Sequence, residues 1–145
     1  IVFGDWSSDV CSSDLVIFRE EMPHDKVMEE LQKADLFWAP PTGQFQGLGT
    51  ATIEAMLSGL PTIVDSPPDV IGSPELQDGC HLFMMDKKTD EELADILRNL
   101  LEDQSMRERI GETGKTFVKN EMSWMKVSSK IEALMSPDQA SRSQG

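Results

Sequence analysis

Apolar residues recur along this chain in two alternating rhythms, short continuous runs and stripes at helical spacing. Leu15, Val16, Ile17 and Phe18 form an unbroken apolar run that predicts a short buried strand. From about His24 the spacing becomes helical, with Val27, Met28, Leu31 and Ala34 on one stripe. Asp35 to Ala39 predicts a strand stopped by Pro40 and Pro41, which lack the N–H that a sheet ladder needs. A loop through Gln46 then leads into a helix predicted over Thr50 to Ser58. Gly59 suits the left-handed position after a helix, and Pro61 prevents its continuation. Leu60 to Val64 is the next predicted strand.

The alternation continues with a turn at Asp65 to Pro68, a short element near Pro74 to Leu76 and a strand around His81 to Met84. Thr89 with Glu92 has the capping-box pattern and starts a helix whose apolar face is Leu93, Ile96, Leu97 and Leu100. Ser105 with Glu108 repeats that pattern for the following helix. A last amphipathic segment, Ser123 to Leu134, sets Trp124, Val127, Ile131 and Leu134 on one side. Met84, Met85, Met122 and Met125 read as core fillers. The closing SPDQASRSQG lacks periodicity, so residues 136–145 are expected to form a disordered tail. Strands alternating with helices predict an α/β fold, a Rossmann-like parallel sheet with helices on both faces.

Composition narrows the function classes. The formal net charge is −13, so the surface repels phosphate backbones and nucleic acid is not an expected partner. No apolar run approaches the length of a bilayer span, and no signal peptide is visible. The two cysteines are Cys11 and Cys80, too few for a disulfide framework, which favours a reducing, cytoplasmic setting. No Cys, His and carboxylate cluster has zinc-ligand spacing, so no metal site is expected. His81, in GCHLFMM, reads as a strand-edge residue rather than a catalytic base.

The first residues stand apart. Asp5 to Leu15 reads DWSSDVCSSDL, which resembles the in-frame translation of a common sequencing-library adapter. Residues 1–15 are therefore expected to be artefactual and are set aside from fold reasoning. The chain also begins without Met, so the native part is read as a C-terminal fragment from about Val16. Without Asp5, Asp9 and Asp14 its charge is nearer −10.

The densest chemistry lies in FQGLGTATIEAMLSGLPTIV, Phe45 to Val64. Gly47 and Gly49 let the backbone approach a ligand closely, and Thr50 opens a helix whose free N–H groups favour an anion. Thr50, Glu54 and Ser58, four apart, make one polar stripe on an otherwise apolar helix, and on periodicity alone such a stripe simply faces water. Helical side chains lean toward the N-terminus, so the Glu54 carboxylate is directed at the glycine loop, where it could accept hydrogen bonds from a vicinal diol.

The stretch QGLGTATIEAMLSGLPTI, Gln46 to Ile63, is similar to the donor-binding signature of retaining GT-B-fold glycosyltransferases, the group called family 4 or glycosyl transferases group 1. Its usual form is E-G-F-G-x-x-x-x-E-A-M-A-x-G-x-P-V-I. The flanks agree. ADLFWAP resembles the strand before the signature, PELQDGCHLF the segment after it, DEELADILRNLLEDQSMRERIGETGKTFV the closing helices, and SWMKVSSKIEAL the last helix.

The resemblance implies that residues 16–135 are the C-terminal donor-binding domain of such an enzyme, half of a GT-B fold. It implies transfer of a sugar, with retention, from a UDP-, GDP- or ADP-linked donor to a glycan, lipid or small-molecule acceptor. Glu54 corresponds to the carboxylate that holds the ribose hydroxyls. Gly47, Leu48, Gly49 and Thr50 would lie near the sugar and diphosphate. Gln46 stands where the family has a Glu at the reacting face, and glutamine cannot carry that negative charge. Pro41 and Cys80-His81 are milder departures. The family's Arg/Lys pair and its acceptor domain fall upstream of Val16, so the chain alone is expected to be inactive. No cofactor or obligatory metal is implied, and association of the whole enzyme with a membrane periphery is compatible with the family. Two alternatives share this signature chemistry: a GT-B-fold sugar-nucleotide epimerase, and a non-catalytic nucleotide-sugar-binding homologue marked by Gln46.

Overall fold

The computed structural model describes residues 17, 19–39, 48–65 and 75–135. Among these residues five helices and three strands follow one another: α1 (His24–Leu31), β1 (Phe37–Trp38), α2 (Thr50–Leu57), β2 (Thr62–Val64), β3 (Phe83–Met84), α3 (Asp90–Glu102), α4 (Gln104–Glu121) and α5 (Trp124–Met135). The strands form one sheet in the order β1-β2-β3, and both pairings are parallel. Phe37 and Trp38 register with Thr62 and Ile63, and Ile63 and Val64 register with Phe83 and Met84.

Strand alternation sorts the core into two faces. Val64 and Met84 point to one side and pack with Met56 of α2 and Phe117 and Val118 of α4. Ile63 and Phe83 point to the other and meet Leu100 of α3 and Ile110 of α4. Helix α4 therefore serves both layers along its 18 residues. A third cluster joins α1 to α2 through Leu31, Ala55 and Leu60, with Val27, Met28, Ala34 and Phe37 around it. The expected α1 stripe thus packs as read, although the helix stops at Leu31 and Ala34 follows it.

The ends of the helices follow their local chemistry. Thr89 and Glu92 form the full capping box of α3. Its C-terminal carbonyls, Leu100 and Leu101, accept hydrogen bonds from the Arg107 guanidinium at 2.6 and 2.9 Å. Ser105 is not the cap of α4: Asp103 is, accepting from the Met106 N–H at 3.0 Å and from the Ser105 hydroxyl at 2.6 Å. The helix starts two residues earlier than its capping pattern suggests because Asp, too, is a strong N-cap and stands first in line. Those hydrogen bonds, Ser105 first, hold the Asp103 carboxyl below its ordinary pKa.

Gly59, at φ +82°, closes α2 in the left-handed region as expected. The turn it makes receives α4 at close range. A Cβ on Gly111 would lie 1.9 Å from the Gly59 carbonyl oxygen, and one on Gly114 would lie 2.5 Å from that of His81. Two glycines one helical turn apart let the α4 backbone touch the turns that precede β2 and β3.

Several expectations are corrected. Ile17 is 57% exposed, so it is not part of a buried strand, and the rest of the Leu15–Phe18 run lies outside the described residues. Met84 and Met85 are buried and Met122 is packed at the core's margin, but Met125 is 78% exposed. The amphipathic helix α5 forms, yet it buries none of its residues among those described. Periodicity predicts a helix with an apolar side; it does not supply the surface that covers that side. The 1–15 and 136–145 segments lie outside the described residues, as do residues 66–68 of the expected turn at Asp65 to Pro68 and Pro74 of the expected short element after it. Among the described residues no helix is long and apolar enough to cross a membrane.

Candidate functional site

A parallel sheet threaded by helices has two unlike edges. Each helix runs back antiparallel to the strand that follows it, so helices begin where strands end. Helix α1 feeds β1 through residues 32–36, which places its first residue, His24, toward the carboxyl edge of the sheet. Helix α2 feeds β2 through the Gly59 turn, which places Gly49 and Thr50 on that same edge. The strand exits Ala39, Asp65 and Met85 form the rim, tied by the Ala39 N–H to the Ile63 carbonyl and the Met85 N–H to the Val64 carbonyl, at 2.9 and 2.8 Å. The Trp38 indole N–H reaches the Met85 sulfur across it at 3.2 Å.

Of the residues singled out in the sequence, Gln46 and Gly47 lie outside the described residues. Leu48 is half-buried against the cluster of Met56 and Val64, which anchors the end of the loop to the core. Gly49 is the N-cap of α2 in extended conformation, and no side chain caps that helix. Its carbonyl accepts from the Ile53 N–H at 3.1 Å, so the first-turn N–H groups before it are not used by a capping side chain. Thr50 is exposed at the first turn, while Thr52 is buried and faces the core.

Glu54 lies in the second turn of α2. Its side chain is 22% exposed, held between packing and solvent by Ala55 and Met56, which are fully buried beside it. Its carboxylate has no hydrogen-bond partner among the described residues; the basic side chain beside it there is His24, with Nδ1 3.7 Å from Oε1. A half-buried carboxylate costs solvation unless something donates to it, so an unfilled acceptor at the ligand edge is suited to hydroxyl groups. Ser58, the last member of the stripe, is spent locally: its hydroxyl donates to the Glu54 carbonyl at 2.9 Å.

Sequence reasoning did not connect His24 to this site. The available signal was topological, because any helix preceding a parallel strand begins at the ligand edge. His81, by contrast, belongs to the opposite edge, just before β3. Its Nδ1 accepts the Gln77 N–H at 3.0 Å and its ring lies 5.0 Å from that of Phe117. Burial there pushes the imidazole pKa down. An open groove of about 390 Å³ beside it, lined by His81, Glu112, Thr116 and Asn120, is likewise remote from Glu54. Asp78 is structural, accepting the Met84 N–H at 2.8 Å and pairing with Lys88. Among the described residues no three His, Cys, Asp or Glu side chains are grouped to hold a metal ion.

No curated protein and no solved structure matches the chain. The family model for glycosyl transferases group 1 matches residues 6–117, most of its length, beginning inside the adapter-like segment and running through α4 as far as Phe117.

Proposed function

The chain belongs to the glycosyl transferases group 1, and from that premise we propose that it forms the donor half of a retaining, GT-B-type enzyme, with the ribose of a nucleotide sugar held by Glu54. The observation that carries this reading is the Glu54 carboxylate itself: partly buried, on the ligand edge of the sheet, and without a hydrogen-bond donor among the described residues. A 2′,3′-diol presents two hydroxyl donors at the spacing of one carboxylate. The uncapped first turn of α2, Gly49 and Thr50 with Leu48 behind them, would meet the diphosphate through backbone N–H groups and the positive helix end. Gly47 and Gln46 would continue the same loop toward the hexose. No obligatory metal ion enters this scheme; the leaving diphosphate would be stabilised by these donors and by cationic groups from the remainder of the enzyme.

Gln46 gives weight to a second reading, a nucleotide-sugar-binding homologue without turnover. Glutamine can position a hydroxyl but cannot stabilise positive charge developing at the anomeric carbon. Both readings require the same ribose site. Calorimetric titration with UDP-, GDP- and ADP-sugars tests it: Glu54→Ala is expected to weaken the best of them by about tenfold or more, the range of hydrogen bonds to a charged group. Equal affinities for the wild type and this variant would refute the assignment. With an active full-length enzyme, the anomeric configuration of the product tests retention.

A further inference from the structure

Among the described residues, helix α1 carries the basic side chain that lies beside Glu54. His24 stands at its first residue, 70% exposed, with Nδ1 3.7 Å from Glu54 Oε1. That separation is too long for a direct hydrogen bond. The two groups face one another with their bonding capacity unspent, since neither makes a side-chain hydrogen bond among the described residues. The other cations of this region are engaged elsewhere: Lys26 pairs with Glu29, while Lys33 and Arg19 both pair with Glu30. Packing of Val27, Met28 and Leu31 in one cluster with Ala55 brings α1 beside α2, which places His24 and Glu54 on facing elements.

We propose that His24 is a second ribose-binding residue, completing with Glu54 a two-sided hydroxyl site. The geometry permits it. A hydroxyl oxygen about 2.8 Å from both atoms closes a triangle on the observed 3.7 Å base with an angle of roughly 80° at the oxygen. In that position the hydroxyl donates its proton to the carboxylate and accepts Nδ1–H from the imidazole, so donor and acceptor are both matched. Glu54 alone reads only that a hydroxyl can donate; the pair also reads that it can accept. His24 would thereby raise discrimination for a ribonucleotide over one lacking the diol. A site built to hydrogen-bond a hydroxyl disfavours the analogue without it, because its polar groups are then left unmatched.

This inference rests on the Glu54 reading, and one experiment separates the two. The probes are UDP, GDP and ADP, each against its 2′,3′-dideoxy counterpart, titrated into the wild-type chain and into Glu54→Ala, His24→Ala and His24→Asn. The quantity read is the affinity ratio of the ribo to the dideoxy form for the best-bound nucleotide. Glu54→Ala is expected to lower that ratio about tenfold or more, and His24→Ala about threefold to tenfold, the worth of one neutral hydrogen bond. His24→Asn, which keeps a donor and an acceptor, is expected to recover part of the loss. His24 is exposed, so circular dichroism of its variants should match the wild type. A ratio lowered by Glu54→Ala but unchanged by His24→Ala would overturn the His24 role alone. A ratio unchanged by both, or no binding of any of the three nucleotides, would overturn both readings.

Discussion

Replacing Gly111 by Ala adds one methyl group where two backbones already touch. The new Cβ would sit 1.9 Å from the carbonyl oxygen of Gly59 and 2.8 Å from its carbon, and neither belongs to a side chain that could swing away. Reaching even a tight 3.0 Å requires α4 to move from the Gly59 turn by about 1.1 Å. A gap of that size forfeits about a quarter to a half of each dispersion contact across it. Ile110, Phe117 and Val118 are the buried residues of α4, and their burial is worth about 6 kcal/mol together at about 2 kcal/mol each. The loss is then about 1.5–3 kcal/mol. Against it stands the helix-propensity gain of Ala over Gly, about 1 kcal/mol. The expected net destabilisation is about 0.5–2 kcal/mol, a fall in Tm of about 2–8 °C for a domain of this size. Urea and thermal melts of Gly111→Ala read this directly. Gly114→Ala, whose Cβ meets the His81 carbonyl at 2.5 Å, should fall less, and Gly49→Ala, with nothing within 4 Å, should meet no clash. A Gly111→Ala protein as stable as the wild type would refute the close-approach reasoning, because propensity would then have outweighed contact.

Acid should weaken the fold partly through His81. Its folded pKa lies below the ordinary 6.5 because burial disfavours the imidazolium, so the unfolded chain takes up a proton first and stability declines as pH falls through about 6.5. The pH dependence of Tm between 7.5 and 5.5 should flatten in His81→Asn, whose carbonyl can still accept the Gln77 N–H; an unchanged slope would remove His81 as the cause. Chelation with EDTA is expected to leave nucleotide-sugar affinity unchanged, and a metal-dependent affinity would contradict the metal-free scheme. The chain by itself is expected to give no sugar transfer in a donor-consumption assay, and measurable turnover would overturn that expectation. Deleting residues 1–15 should change neither Tm nor nucleotide affinity; a drop in Tm would show that the adapter-like segment contributes native contacts.

How legible the site was depended on whether the signal was local. Glu54 could be singled out as a candidate because an acid on a short apolar helix after a glycine loop is a sequence pattern, and the lean of a helical side chain follows from handedness alone. The cap of α3 was equally readable, since Thr89 and Glu92 meet within one turn. Asp103 outcompeted Ser105 because two good caps lay two residues apart, and spacing does not rank them. The proximity of His24 to Glu54 was invisible in the sequence because it spans 30 positions and exists only once α1 lies beside α2.

The chain order of apolar runs and stripes determined the succession of strands and helices, the breaks at Gly59 and Pro61, and the Gln46 to Ile63 signature with Glu54 at its centre. These are properties of a few adjacent residues, governed by backbone sterics, capping and side-chain period. The tertiary structure decided the rest: parallel register, the bare contact of Gly111 with the Gly59 turn, the failure of α5 to bury its apolar side, and the 3.7 Å meeting of His24 with Glu54. Each of these is a distance between elements. Such distances are set by the packing of both faces of the sheet at once, which no single stretch of sequence contains.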